Sequence, residues 1–420
     1  MSKRTVHIVG AGVAGLATAA ALILDDQASA DMRVVIYEAA SQAGGRCRSY
    51  FDPVFGATID NGNHLVLSGN LALRRYLARI GSADQLAIPS DATYPFVDLA
   101  SGEHWVVRPN AGPLPWWIFA DSRRVPGTRA RQYLDLAKLL RAAPDALVSD
   151  VITCAGPLWH RFLHPMLLAA LNTAPDRAAA ALAATVLRET FARGGAACKP
   201  LIAAQGLAAA FVDPAVAKLR AAGVGITFNR RLQGLVFDED DVVTGLEFTD
   251  GPHPLAGGDA VVLAVPPWTV ADLLPDLSVP TQFNAIINGH FQCAPPPGAP
   301  ALLGLIGGTA EWVFSFDGRV SVTVSNGDHL VDQDRADLAR VLWADVAKAY
   351  GLAPDLPAWQ IVKERRATFA ATPGQLGCRP GTQTRWHNLF LAGDWTDTGL
   401  PATLEGAARS GERAAKCISA

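Results

Sequence analysis

Residues 5–16, TVHIVGAGVAGL, constrain this chain more than any other stretch. An apolar run of β type, Val6–Val9, meets Gly10, Gly12 and Gly15 in the G-x-G-x-x-G spacing, and an Ala-rich helical stretch follows to about Leu24. A second β-type run, Arg33–Tyr37, ends on Glu38. Strand, glycine turn, helix, strand and acid thus follow one another within about 30 residues, the order of a dinucleotide-binding unit. Gly10 permits the tight turn, Gly12 lets backbone N–H groups approach a pyrophosphate, and Gly15 lets helix and strand pack closely. The helix N-terminus adds a favourable dipole for the anion. Glu38 is placed to accept hydrogen bonds from an adenosine ribose.

The motif serves nicotinamide and flavin dinucleotides alike. The residues after Glu38, Ala39-Ala40-Ser41-Gln42-Ala43-Gly44-Gly45-Arg46, add a second glycine pair and an arginine. That extra phosphate and ribityl contact fits FAD bound in an extended form better than a nicotinamide.

At 420 residues the chain has room for two or three domains, and 50% hydrophobic residues supply a large core. A net charge of −3 without a basic block argues against nucleic acid as a partner. The six cysteines are scattered with no CxxC pair, the pattern of reduced thiols. The sequence enters its first strand almost at once, so no standard export signal is expected and the predicted location is cytoplasmic. No apolar run of 18 residues escapes a charge or a Pro/Asn break, so no spanning helix is expected.

Residues 47–70 alternate short β-type pieces with turns, and Asp60-Asn61-Gly62-Asn63-His64 is dense in polar groups of the kind that carry function on loops. Residues 71–88 read as a helix with Leu71, Leu73, Tyr76, Leu77 and Ile80 on one stripe and Gly81 as its stop. Strands follow near 96–99 and 104–107. Then Pro115-Trp116-Trp117-Ile118-Phe119, beside Arg123 and Arg124, combines large apolar residues with cations. That mixture suits either an interfacial membrane contact or a core wall. Residues 130–193 read as at least three helices, a lid or substrate block outside the nucleotide unit. Residues 206–263 return to a mixed pattern with a hairpin through Asp238-Glu239-Asp240-Asp241. Residues 281–330 read as antiparallel strands, 333–350 as an amphipathic helix and 359–370 as another strand. The last signal is residues 388–411, NLFLAGDWTDTGLPATLEGAARSG: a strand ending at Gly393-Asp394, then a helix from about Thr403-Leu404. Its N–H groups and dipole would stabilise negative charge on a reduced flavin.

Together, GAGVAGL…YEAASQAGGRCRS and LAGDWTDTGLPATLEGAARSG resemble the FAD-dependent amine oxidase and isoprenoid desaturase superfamily. FDPVFGATIDNGNHLVLSGN, LPWWIF…RVPGT and ERRATFAATPGQLGCRPGTQT resemble its squalene-associated branch, the hydroxysqualene dehydroxylases of bacterial hopanoid synthesis. The resemblance implies an α/β fold, in which a discontinuous Rossmann-type FAD domain (1–88, 200–270 and 385–420) carries an α+β substrate domain (89–199 and 271–384) with an antiparallel sheet and a helical lid. It implies that Gly10, Gly12, Gly15, Glu38, Gly45, Arg46, Gly393, Asp394 and Leu404 hold FAD, with the hairpin backbone near Val236 against the adenine. It implies reduction of hydroxysqualene to squalene by hydride from a flavin that an external donor reduces. A long-chain isoprenoid drawn from the membrane is then the substrate, and the enzyme a peripheral one. Amine oxidases of the superfamily place an aromatic residue where this chain has Thr403, which speaks against amine oxidation. An isoprenoid desaturase is the alternative reading, and an amine oxidase a second. Loss of a hydroxyl calls for a proton donor. His64 and Asp397, near the flavin motifs, are the candidates. Both residues also suit plainer roles, His64 orienting its loop and Asp397 capping a turn.

Overall fold

The computed structural model describes residues 4–25 and 32–420. Five parallel strands form the nucleotide-side sheet, in the order Gly225–Thr227, Met32–Tyr37, Arg4–Val9, Ala260–Leu263, Leu389–Leu391. Their apolar runs are continuous because both faces are covered. Val6, Ile8, Ile36 and Val261–Leu263 are fully buried.

Two helices dominate one face. The first, Val13–Ile23, packs along the C-terminal helix Leu404–Ser419. They approach so closely that a Cβ at Gly411 would collide with the Ala14 carbonyl oxygen. A third helix, Leu71–Ile80, buries Leu73, Tyr76, Leu77 and Ile80 beside them and ends on Gly81 in the left-handed conformation, as its sequence predicts, whereas Leu71 of the expected stripe sits exposed at the first turn. Buried Glu405 accepts the first amides of this helix, from Ala72 at 3.1 Å and Leu73 at 2.9 Å. The C-terminal helix thereby caps its neighbour.

A seven-stranded sheet forms the other half. Its order is Trp359–Phe369, Phe283–Phe291, Arg319–Val324, Trp312–Phe316, Leu302–Ile306, Tyr94–Asp98, His104–Val107. Pairing is antiparallel except between Leu302–Ile306 and Tyr94–Asp98. Strand alternation divides its side chains between two cores. Val313, Val322 and Leu303 pack under the helix Arg335–Tyr350, which Asp334 caps. Leu302, Trp312, Phe314 and Phe96 join the opposite core with the helical block.

That block holds more than the minimum of three helical pieces expected, and they are irregular. Residues 130–189 form short α, 3-10 and π pieces, and the longest, Ala180–Glu189, has 10 residues. Pro144, Pro157, Pro165 and Pro175 interrupt the amide ladder and account for the breaks. Among the described residues no helix is long and apolar enough to cross a membrane.

Candidate active site

The first glycine turn is built for a close backbone approach. Gly10 sits at φ +108° and donates its N–H to the Tyr37 carbonyl at 2.7 Å, and a Cβ there would collide with the Ala264 carbonyl. Gly12 is the N-cap of the first helix, and a Cβ on it would meet no atom within 4 Å. The helix N-terminus therefore faces unfilled space on the side of Gly12, where its N–H groups can be approached by an anion. The Gly44-Gly45 turn closes over it, the Gly44 N–H donating to the Ala11 carbonyl at 2.9 Å. Gly45 lies opposite Gly12, in the left-handed region at φ +56°. Glu38 ends the second strand, and its two carboxylate oxygens accept the Ala11 and Ala40 N–H groups at 2.8 Å each. This fixed carboxylate keeps lone pairs for two ribose hydroxyls.

Arg46 joins this turn to both other parts of the site. Its guanidinium donates to Asp394 Oδ1 at 2.7 Å and to the Ala367 carbonyl at 2.5 Å. Burial opposes its charge, but the Asp394 carboxylate outweighs that and holds its pKa above the ordinary value. The loop after Leu389–Leu391 is pinned in two further ways. Gly393 N–H donates to Ser410 Oγ at 2.8 Å. Buried Arg379 donates to the carbonyls of Asp394, Trp395 and Thr396. Burial lowers the pKa of Arg379 to about 10, so it stays cationic at neutral pH. The sequence pattern had given Arg379 no role, because its partners come together only in the folded loop. Leu404 opens the C-terminal helix, where Thr403 Oγ1 accepts the Gly406 N–H at 3.1 Å.

The Asp60–His64 loop lies between these motifs and the seven-stranded sheet. Asp60 is buried and accepts Ser49 Oγ and the Leu207 N–H. Asn61 Nδ2 donates to Glu364 Oε2 at 3.0 Å. Asn63 donates from Nδ2 to the Val322 carbonyl at 3.3 Å and to Thr323 Oγ1 at 3.1 Å, while Thr323 donates to Asn288 Oδ1 at 2.9 Å. The Val322 carbonyl fixes the amide orientation of Asn63. Asn63 Oδ1 is left buried without a protein donor.

Strand register carries this polar cluster into an aromatic row. Asn288, Thr323, Trp312, Gly304, Phe96 and Trp105 are successive cross-strand partners. The missing side chain of Gly304 makes room for Phe96, whose ring a Cβ there would strike. Phe96 packs edge-on to Trp312 at 5.5 Å and stacks on Trp105 at 5.6 Å. One face of the sheet therefore changes from amide and hydroxyl groups near the flavin motifs to aromatic faces beneath the helical block.

A family profile described as Flavin containing amine oxidoreductase matches residues 13–419. Hydroxysqualene dehydroxylase of Rhodopseudomonas palustris is 52% identical, over 100% of this chain and 99% of that protein. The protein of the same name from Sinorhizobium fredii is 49% identical, over 98% and 97%. The chain belongs to the flavin-containing amine oxidoreductases, on the hydroxysqualene dehydroxylase branch. The fold matches that of cyclohexylamine oxidase from Brevibacterium oxydans, with a TM-score of 0.71 over 99% of both chains at 15% identity.

This flavoenzyme uses FAD, and the open helix N-terminus at Gly12, the Glu38 carboxylate and the Arg46–Asp394 pair fit its pyrophosphate, ribose and ribityl groups. Val236 stands apart from them. It lies at the hairpin end of its strand, 43% exposed, whereas Arg230, just before that strand, donates its N–H to the Glu38 carbonyl. The part of the hairpin nearest the ribose acid is its beginning, at Leu232. Asp397 is exposed, and its carboxylate accepts the Gly399 N–H at 3.3 Å, the plain turn-capping role. His64 does neighbour Arg46, Asp60 and Asp394, but burial and the Arg46 charge lower its pKa to about 4. At neutral pH it holds no transferable imidazolium proton, so it suits orientation better than acid catalysis. Burial pushes the Cys47 thiol up to about 12, which leaves it unreactive toward a flavin.

Proposed function

We propose that the protein reduces hydroxysqualene to squalene in bacterial isoprenoid synthesis. Reduced FAD, held by the helix N-terminus at Gly12, by Glu38 and by the Arg46–Asp394 pair, would supply both hydrogens of the reduction, a hydride to carbon and a proton to the departing hydroxyl, so that a C–H bond replaces the C–O bond and water leaves. The observation that carries this reading is the sheet face just described. The order of groups along that face, polar at the flavin end and aromatic where the helical block buries it, matches a hydrocarbon with one internal hydroxyl. The buried Asn63 carbonyl, with Thr323 and Asn288 beside it, can accept from that hydroxyl and orient it. The aromatic faces can stabilise positive charge developing on the carbon as the oxygen departs. The names of the relatives support the same substrate. Thr403 is engaged as a helix cap, where an amine oxidase needs an aromatic wall.

The substrate also sets the location. Each buried CH₂ favours lipid by about 0.8 kcal/mol, so a thirty-carbon chain prefers the bilayer by roughly 20 kcal/mol. An enzyme that released it into water would turn over too slowly. The protein therefore works peripherally at the cytoplasmic face of the membrane.

The test is anaerobic. The holoenzyme is photoreduced and mixed with hydroxysqualene in detergent. Flavin reoxidation matched by an equal amount of squalene supports the proposal. Reoxidation by a more unsaturated acceptor with no response to hydroxysqualene would establish the desaturase reading instead.

A further inference from the structure

The exposed apolar side chains of this molecule are unevenly spread. Leu114, Trp116, Phe119, Leu134 and Leu140 are 62, 66, 65, 64 and 41% exposed, and all lie within residues 114–140. Trp116 and Phe119 stand beside each other on one 3-10 turn, with rings 6.3 Å apart. Trp117 and Ile118, which the sequence grouped with them, are instead 7 and 3% exposed and belong to the core. A four-residue turn divides its side chains between two directions, so half of the WWIF stretch anchors the other half. The second segment, Leu134–Arg141, joins the first through Tyr133. The Tyr133 ring lies 5.1 Å from Trp117, and its hydroxyl accepts the Val125 N–H at 3.0 Å.

Charge is concentrated in the same place. Residues 108–141 hold seven Arg or Lys against two Asp, a net charge of +5 in a chain of net −3. Arg129, Arg131, Lys138 and Arg141 are exposed. Lys138 shares its charge with Asp135, and Arg124 with Asp121. Arg129, Arg131 and Arg141 have no acidic partner among the described residues.

The patch is also continuous with the site. From Trp117 an aromatic series runs inward: Phe162 at 6.5 Å, then Phe96 at 6.1 Å, then Trp312 at 5.5 Å. Trp312 is the cross-strand partner of Thr323 in the polar cluster. The exposed apolar cluster at 114–140 thus lies at the far end of the buried aromatic face that leads to the polar cluster.

We infer that the 114–141 surface is a docking face for an anionic lipid bilayer, and that substrate passes through it into the protein. The inference rests on the lipophilic-substrate reading above and gives it a location. Exposed Trp and Phe insert at the headgroup boundary, while the arginines meet phosphate. Each basic residue near an anionic surface adds attraction that salt screens.

Binding is tested with holoenzyme and substrate-free vesicles, so that it is read apart from turnover. The parent should float with vesicles containing phosphatidylglycerol, less with pure phosphatidylcholine, and should be released as salt is raised. Trp116→Ser/Phe119→Ser should lower the apparent vesicle affinity by at least about tenfold. Arg129→Gln/Arg131→Gln should weaken binding to the anionic vesicles while leaving the weaker binding to neutral ones. Both variants should keep the flavin spectrum and the turnover of detergent-dispersed hydroxysqualene. A Trp116→Ser/Phe119→Ser protein that floats like its parent would overturn the docking face, as would a parent that never floats. So would a parent dimer that becomes monomeric in this variant with flotation unchanged, since the face would then serve a second copy. Loss of detergent turnover in the parent itself would count against the substrate reading, and leaves the flotation result to be judged separately.

Discussion

Glu38 is held before any ligand arrives. Its carboxylate oxygens each take one backbone N–H, from Ala11 and from Ala40, so the group does not have to be ordered when ribose binds. Glu38→Ala removes a charge-assisted partner worth roughly 1.5–3 kcal/mol, or about one to two decades in FAD affinity. Titration of the apoprotein with FAD, followed by flavin fluorescence, measures this, and equal affinity in mutant and parent would remove Glu38 from the ribose site. The histidines behave differently. Burial lowers the pKa of His290 to about 3 and that of His64 to about 4, each below the ordinary 6.5. Above pH 6.5 neither group affects stability through protonation. Below it the unfolded chain binds protons that the native state refuses, so stability falls as pH drops from 6.5 toward 4 and 3. The melting temperature should therefore decline across that window. His290→Gln, which can still bond Ser321 or the Asp60 carbonyl, should decline less steeply. An unchanged slope would mean that other groups drive the acid transition. The position of Glu38 at the end of the second strand, beside the glycine turn, was legible in the sequence because it follows from its distance after the glycine motif. The charge state of His64 was not, since it depends on burial and then on Arg46 approaching, both of which arise only in the fold.

At the level of elements, the site is held by two arginines that tie distant segments together. Arg46 links the Gly44-Gly45 turn to the Asp394 loop and to the strand Trp359–Phe369 through two separate guanidinium nitrogens. Lysine has one terminal nitrogen on a flexible stem and cannot span both acceptors in that geometry. Arg46→Lys should therefore weaken FAD binding by about tenfold or more, while retaining the same secondary structure by circular dichroism. Full FAD occupancy after dialysis would show that charge alone suffices. The parallel strands and both end motifs were readable, because buried parallel strands leave continuous apolar runs and glycine turns leave fixed spacings. The helical block was not readable as it is. Its apolar periodicity suggests regular helices, but Pro144, Pro157, Pro165 and Pro175 divide it, and packing against Trp312 and Phe96 then selects short turns that no periodicity encodes. The WWIF stretch left two readings open for the same reason, since only the turn geometry decides that Trp117 and Ile118 face inward and Trp116 and Phe119 do not.

The whole molecule sets two kinds of surface against each other. The nucleotide half supplies glycine turns, a fixed carboxylate and helix N-termini; the sheet half supplies an amide and hydroxyl cluster that grades into aromatic faces. That gradient exists only through register, with Asn288, Thr323, Trp312, Gly304 and Phe96 as neighbours on five separate strands, and the linear sequence scatters them over nearly 230 residues. Its consequence can be measured on shortened substrates. On the proposed reading, energy from the apolar tail, remote from the reacting carbon, would hold the hydroxyl against Asn63 and the carbon against the flavin. A fifteen-carbon allylic alcohol keeps the reacting group and discards half of that tail. At about 0.8 kcal/mol per buried CH₂, even a small realised share of the loss should lower kcat/KM by at least about 100-fold. Gly304→Val should produce a similar selective loss on the thirty-carbon substrate, because its side chain would displace the Phe96 ring while leaving every FAD contact in place. The two measurements belong together. If the short alcohol reacts as fast as the long one, or if Gly304→Val leaves kcat/KM untouched, the aromatic face does not bind the tail, and the substrate must lie along another wall of the site.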